Sequence, residues 1–382
     1  MLPHTSRRSV AVLSSGIAAA LALAGCGAGG SASAGAGGAA LSETQRAAVK
    51  AAEAEFAAYI KPRAADPVPA LPAAPPTGKT LTIIGCPIPV CAKVTGGATR
   101  AARKLGWKVT SLQNDNTPQS FLTLLNQVVQ NPPDMLAYIG LVRNSSVTAQ
   151  LSKLHSDGTK IVEIAPIGDK PAPAGPVDAT VIAELHKRQS GRLMGDAVVA
   201  DAKGPADTVF VWDPSFAVGW GPIKDGYSKI VKAAGGSVGI LEVSNHNIGK
   251  TIPSQIVSYL QAHPSVKYVA LAVGDYAAGL AAAKQAAGLQ QKVRITSRAA
   301  NATNLQDIKD GTEWTSIGEE NAASGYRAVD QLVRLEMGIP LGSRIEAVGW
   351  HQIFTQGNVT QTATAPEPPD YAAVYEHAWH VG

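Results

Sequence analysis

Three scarcities bound this chain before any motif is read. Cysteine occurs 3 times in 382 residues, too seldom to hold a small fold together by disulfides. Excess charge is scarce as well: 33 Lys and Arg stand against 29 Asp and Glu, leaving +4. A nucleic-acid surface needs a basic patch or stripe, so nucleic acid is excluded as a partner. Long apolar runs are missing too. Beyond the N-terminal segment nothing approaches the run of about 18 apolar residues that marks a membrane-spanning helix. What is plentiful is ordinary hydrophobic content, 45%, which suits a packed core and excludes wholesale disorder. The length allows about two domains of roughly 150 residues each.

The N-terminus reads as a targeting segment over residues 1–25. Arg7 and Arg8 precede an uncharged, alanine-rich run over 10–23. That run has the length of a signal-peptide core and falls short of the ~20 residues a spanning helix needs. It ends in Leu23-Ala24-Gly25-Cys26, which resembles a bacterial lipobox. In that motif the cysteine, here Cys26, takes a diacylglycerol and becomes the mature N-terminus. The paired arginines leave both Sec and twin-arginine export open. The expected location is the outer face of the cytoplasmic membrane, held by a lipid.

Residues 27–40 contain only Gly, Ala and Ser, the composition of a flexible coil. Ser42 and Gln45 fit a capping box opening a helix over 42–60, and six prolines between 61 and 78 read as a stiff spacer. Residues 26–78 are therefore expected to form a lipid-anchored stalk. From residue 80 short apolar runs at 81–85, 107–112, 135–140, 160–165, 207–212, 237–243, 267–273 and 292–296 alternate with helical stretches at 92–105, 118–130, 190–202, 222–234, 253–262 and 276–287. Apolar strands alternating with helices predict an α/β fold of parallel sheets covered on both faces. In such sheets ligands bind beyond the carboxyl ends of the strands.

Several phrases carry a resemblance to a known family: Gly97 followed by Ala101 to Trp107, Asn114-Asp115, Gly191 to Gly195, Gly274-Asp275 with Ala278-Gly279, Ile308 to Gly311, and Thr355 to Val359. In order and spacing the chain resembles the type I periplasmic solute-binding proteins, the ribose- and galactose-binding kind, over about residues 79–360. It is most similar to their actinobacterial lipoprotein branch. The resemblance implies two doubly wound lobes joined by three hinge crossings, near 183–187, 317–321 and 338–342. The N-terminal lobe would take 79–185 and 319–340, the C-terminal lobe 186–318 and 341–360, with a tail over 361–382. It also implies a small-molecule ligand trapped between closing lobes, delivery to an ABC permease, a monomer, no cofactor and no metal.

At the positions where sugar-binding relatives place their reading groups, this chain departs from them. The paired aromatics of the first loop fall at Val90 and Cys91, the Asp-Arg after the fourth strand at Ala165-Pro166, and the Asn of the late turn at Gly274. A site built to read hydroxyls loses selectivity without its donors and acceptors. The candidate ligand set is Val90, Asn114, Asp115, Trp212, Trp220, His246, Asp275, Arg298 and Glu319, with Asn245 beside it. This set suits a less polar or aromatic ligand stacked on a tryptophan. Against that, each Trp also fits core packing, Asp275 fits a helix cap before Tyr276, and Arg298 with Glu319 fits a solvated ion pair between lobes. Cys86 and Cys91, with Pro87 and Pro89 between them, are expected to be bridged, since an exported chain folds in an oxidising compartment.

Two further motifs lead elsewhere. Gly235-Gly236-Ser237-Val238-Gly239 matches the GxSxG pattern of a secreted hydrolase, but a nucleophile elbow needs a strand before the serine and a helix after it. The order expected here is the reverse. His377 and His380 are spaced for a metal, with only Glu376 beside them. The reading is a binding protein and not an enzyme. A ligand-sensing module for a membrane receptor and a secreted hydrolase are the alternatives.

Overall fold

The computed structural model describes residues 40–115, 117–167, 175–342 and 347–382. The signal segment, Cys26 and the Gly/Ala/Ser tether lie outside these residues. The first helix, α1 (Glu43–Tyr59), begins at the capping box read from the sequence: Ser42 accepts from the Gln45 backbone, and the Gln45 side chain accepts from the Ser42 backbone.

Five parallel strands build the first lobe: β1 (Thr80–Gly85), β2 (Lys108–Gln113), β3 (Met135–Ile139), β4 (Lys160–Ile164) and β5 (Ala179–Val181), in the order β2-β1-β3-β4-β5. Three helices connect them, α2 (Pro89–Lys104), α3 (Pro118–Gln130) and α4 (Thr148–Ser156). β3 is buried along its whole length, as expected of a strand covered on both faces. One side packs Ile83, Ala98, Val162 and Val329; the other packs Phe121, Leu125, Tyr138 and Leu151.

The second lobe repeats the plan. It contains α5 (Glu184–Ala202), β6 (Asp207–Trp212), α6 (Ala217–Ala233), β7 (Ser237–Glu242), α7 (Ile252–Ala262), β8 (Tyr268–Leu271), α8 (Leu280–Ala286), β9 (Arg294–Arg298), α9 (Ala302–Lys309) and β10 (Thr315–Glu319). From β7 inward the order β7-β6-β8-β9-β10 mirrors that of the first lobe. The chain then returns to the first lobe as α10 (Asn321–Glu336), which packs on α2, and comes back as β11 (His351–Thr355), antiparallel on β10. Both lobes bring helices unusually close. A side chain at Gly97 of α2 would strike the Ala322 carbonyl of α10, and one at Gly191 of α5 would strike the Ile223 carbonyl of α6.

Four points bear on the expected connections. First, α5 starts at Glu184 rather than 190, so the chain crosses straight into a helix. Second, the expected third crossing at 338–342 falls within the stretch between α10 and β11. Third, the expected tail carries α11 (Tyr371–Ala378), which ends against the first lobe. There Trp379 is fully buried, stacked on Tyr326, with Nε1 donating to Asp330 at 2.9 Å. Fourth, the expected stalk does not stand clear of the body. Helix α1 packs on α5, and the proline-rich stretch is pinned by Trp350 to the Arg63 carbonyl at 3.0 Å and by the Leu71 amide to the Ala378 carbonyl at 2.8 Å. An extended, proline-rich chain cannot satisfy its own backbone, so it takes partners from the surface it crosses.

Candidate functional site

A cavity lies between the lobes at the carboxyl ends of the strands, where open α/β sheets place their ligands. The space within it that water can occupy is ≈ 90 Å³, room for a few water molecules as the lobes stand. The first lobe contributes Cys86, Ile88, Val90 and Cys91 from the turn after β1, Ile139 to Leu141 after β3, and Ile164, Ala165 and Ile167 after β4. Cys86 and Cys91 are joined by a disulfide, which ties the end of β1 to the first turn of α2. The second lobe contributes Lys187, Phe216, Gly219, Trp220, Val273 and Arg298; Ile182 and Asn321 stand at the first and second crossings.

The aromatic wall is built within α6 and the turn before it. Trp220 stacks on Phe216 with centroids 5.3 Å apart and meets Tyr276 edge-on at 6.1 Å. Such pairs favour offset or edge-to-face geometry because of the ring quadrupole. A ligand would meet aromatic surface already held in position.

The polar groups converge at the hinge. Arg298, at the end of β9, forks onto Glu319, at the end of β10, through Nε at 2.7 Å and Nη2 at 2.8 Å. Both are buried, 8% and 2% exposed, so this is not the solvated pair considered above. Burial alone would raise the Glu319 carboxyl, but the Arg298 charge, with His186 beside it, holds it well below the usual carboxylate range. Ser190 of α5 donates to Glu319 at 2.5 Å and sits 3.0 Å from His351 Nε2. Burial, with Arg298 and His186 close by, pushes His351 down to about 3, so its imidazole is neutral. The ligating atoms of His186, Glu319 and His351 gather within 4.8 Å of one another. However, both Glu319 oxygens are occupied by the guanidinium, so the cluster is an ion-pair network rather than a cation site. His186 and Glu319 stand at the first two crossings, and His351 opens β11 after the third.

Lys187 stands one turn into α5 and donates from Nζ to the Pro166 carbonyl of the first lobe at 2.7 Å. Burial pushes its pKa down to about 7; the carboxylates of Glu163, Glu319 and Glu184 oppose this, and Arg298 adds to it.

Of the nine ligand candidates, the cavity gathers Val90, Trp220 and Arg298, with Glu319 behind Arg298. The other five lie elsewhere. Asn114 is buried against the Gly85 carbonyl. Asp115 is exposed and closes a turn with Thr117 at 2.6 Å. Trp212 belongs to the second-lobe core, with the Lys224 ammonium 4.3 Å over its ring. His246 is exposed. Asp275 makes no cap; it accepts from Asn301 at 2.9 Å. Asn245 likewise serves the core, accepting from Tyr276 at 2.6 Å. Lys187, Phe216 and Asn321 line the cavity and were not singled out from sequence. Ser237 opens β7 after α6 and donates to Asp207 at 2.6 Å on an exposed edge, with no elbow around it.

A family model described as "Periplasmic binding protein domain" matches residues 86–339. The chain belongs to this family. No curated protein sequence matches. Among solved structures, a glucose-galactose binding protein from Geobacillus stearothermophilus superposes with a TM-score of 0.64 at 17% identity, covering 75% of this chain and 100% of that one. A solute-binding protein from Burkholderia graminis in complex with D-arabinose gives 0.62 at 18%, covering 76% and 99%. A protein from Mycobacterium smegmatis gives 0.58 at 18%, covering 80% and 100%. At these identities the likeness is one of fold. The two-lobed type I architecture expected from sequence is established, and the family match gives the chain a solute-binding role. Members of this family work outside the cytoplasmic membrane, and among the described residues no helix is long and apolar enough to cross a membrane.

Proposed function

We propose that this periplasmic binding protein is anchored by a lipid at Cys26 and captures a small organic ligand that is less polar than a pentose or hexose. The hinge closes over the ligand, and the closed, monomeric form docks on an ABC permease. No covalent chemistry is involved. The observation that carries the ligand class is the cavity wall. Ile88, Val90, Ile139, Ile164, Ile167, Val273, Phe216 and Trp220 surround a space in which a sugar's hydroxyls would lose their water and gain few partners, and unpaired polar groups are costly to bury.

The test is a thermal-shift screen of the intact protein against sugars and apolar organic compounds, since a ligand bound only by the folded state raises the melting temperature. The largest shift is expected outside the simple pentoses and hexoses; a dominant shift with ribose or galactose would refute this reading. The anchor has its own test. Cys26→Ser should release the protein from the membrane fraction, and persistence in the membrane pellet would contradict lipidation.

A further inference from the structure

The polar groups of the cavity are one-sided. Among the described residues that line it, none is an Asp or Glu. The side chains with nitrogen or oxygen hydrogen-bonding groups are Lys187, Arg298, Trp220 and Asn321, and the first three only donate. The ammonium of Lys187 keeps two N–H groups beyond the one given to Pro166. The guanidinium of Arg298 has committed Nε and Nη2 to Glu319 and Nη1 to the Ala272 carbonyl at 3.3 Å, leaving one N–H on each terminal nitrogen. Asn321 is 2% exposed, and its Nδ2 finds no partner among the described residues. A buried donor left unmade costs free energy until an acceptor arrives. The lining charges are one-sided too: Lys187 and Arg298 are both cationic, and the carboxylates nearest Lys187, those of Glu163, Glu319 and Glu184, are not among the lining residues. Everything else on the wall is hydrocarbon, aromatic ring or disulfide.

We propose that the ligand is an organic monocarboxylate with an aromatic or branched apolar body. Its carboxylate meets Lys187, Asn321 and the spare N–H groups of Arg298, and its body lies along Trp220 and Phe216. This deepens the less-polar reading above and rests on it. A sugar hydroxyl both donates and accepts, and in a site whose only side-chain acceptor is the Asn321 carbonyl most of its donors stay unmet; a carboxylate only accepts, and charge-assisted hydrogen bonds to it are the strong ones. Ligand binding is then coupled to a proton. The groups facing Lys187 are Glu163 of β4, Arg298 of β9, Glu319 of β10 and Glu184 on its own helix. An anion added to that set favours the ammonium, so above neutral pH the complex takes up a proton that the empty protein lacks.

The experiment uses the full folded protein and three acids, 3-phenylpropionate, 4-methylpentanoate and indole-3-acetate. Each is paired with its primary amide, and D-ribose and D-galactose are run alongside. At least one acid should bind in calorimetry at least tenfold more tightly than its amide. At pH 8 its apparent enthalpy should differ between Tris and phosphate buffers, reporting proton uptake. Lys187→Met should weaken the acid at least tenfold and leave the amide nearly unchanged, while Trp220→Ala should weaken both. If Lys187→Met does not fold, Asn321→Leu carries the same comparison. Equal affinity for acid and amide, or no binding by any of the acids, overturns the carboxylate proposal and leaves the less-polar reading standing. A largest response to ribose or galactose overturns both.

Discussion

The two walls of the cavity are made differently. The first-lobe wall is hydrocarbon and disulfide laid over the ends of β1, β3 and β4, and its lining side chains carry no charge. The second-lobe wall carries both cations and both aromatics, Lys187, Arg298, Phe216 and Trp220. The sheets behind them share one strand order. The same scaffold thus supplies shape on one side and chemistry on the other, because the differences lie in the loops and not in the strands. The hinge residues belong with the second wall: Arg298 reaches the cavity and, through Glu319, the crossings. A group on the ligand that touches Arg298 also touches the network that sets the hinge.

The largest expected effect falls on that network. Arg298→Leu leaves the Glu319 charge buried and unpaired, which should cost about 3–5 kcal/mol in urea unfolding. A loss under about 1 kcal/mol would show that the pair is not buried. On the opposite wall, Ile164→Ala removes a fully buried strand residue and should cost roughly 2–5 kcal/mol through the cavity it leaves. Being apolar, that change should move stability without changing the pH dependence of binding.

Lys187 separates the walls by pH. Its folded pKa, about 7, lies below the ordinary 10.5, so between those values the unfolded chain binds more protons and the folded state gains stability as pH rises. Lys187→Met should remove a slope of about 1.4 kcal/mol per pH unit over that window. The measurement is the difference between the unfolding free energies of parent and variant from pH 7 to 10. A flat difference would mean that the amine is solvated.

Removing the disulfide by Cys86→Ser with Cys91→Ser should cost less than about 3 kcal/mol, since the closed loop is short. It should loosen the first wall at Val90 and Ile88, read as a faster ligand off-rate. Smallest of all, Asp115→Ala and His246→Ala should stay within about 0.5 kcal/mol in stability and leave binding unchanged, because both side chains are exposed away from the cavity.

How much of this was legible follows from where polarity is hidden. Strands such as β3 and β6 announce themselves as apolar runs. β10 does not: in Thr315 to Glu319 only Ile317 is a large apolar residue, yet all five are buried, with Thr315 paired to Thr296 at 2.9 Å and Ser316 to Ser297 at 2.6 Å inside the sheet. The start of α5 was missed for the same reason. Glu184 to Gln189 reads as a solvated run, yet His186 and Lys187 are buried at the crossing, and with them went the cavity's main cation. The final helix was hidden by its neighbours, since proline and threonine over 360–369 read as a tail and nothing local signals that Trp379 finds Tyr326 and Asp330. Trp220, Val90 and Arg298 were reachable because the family order places strand-end loops at the ligand. Asn114, Asp115, Trp212, His246 and Asp275 were placed there by the same rule but are not among the cavity-lining residues: Asn114 and Trp212 are buried, Asp115 closes a turn, Asp275 accepts from Asn301 and His246 is exposed.

The thermal-shift comparison of parent and Trp220→Ala, with an apolar acid and with galactose, tests the central claim most directly. The account predicts a concentration-dependent rise in melting temperature with the acid, abolished in Trp220→Ala, and none with galactose. A rise with galactose that survives Trp220→Ala would place the ligand and its chemistry outside the cavity described here.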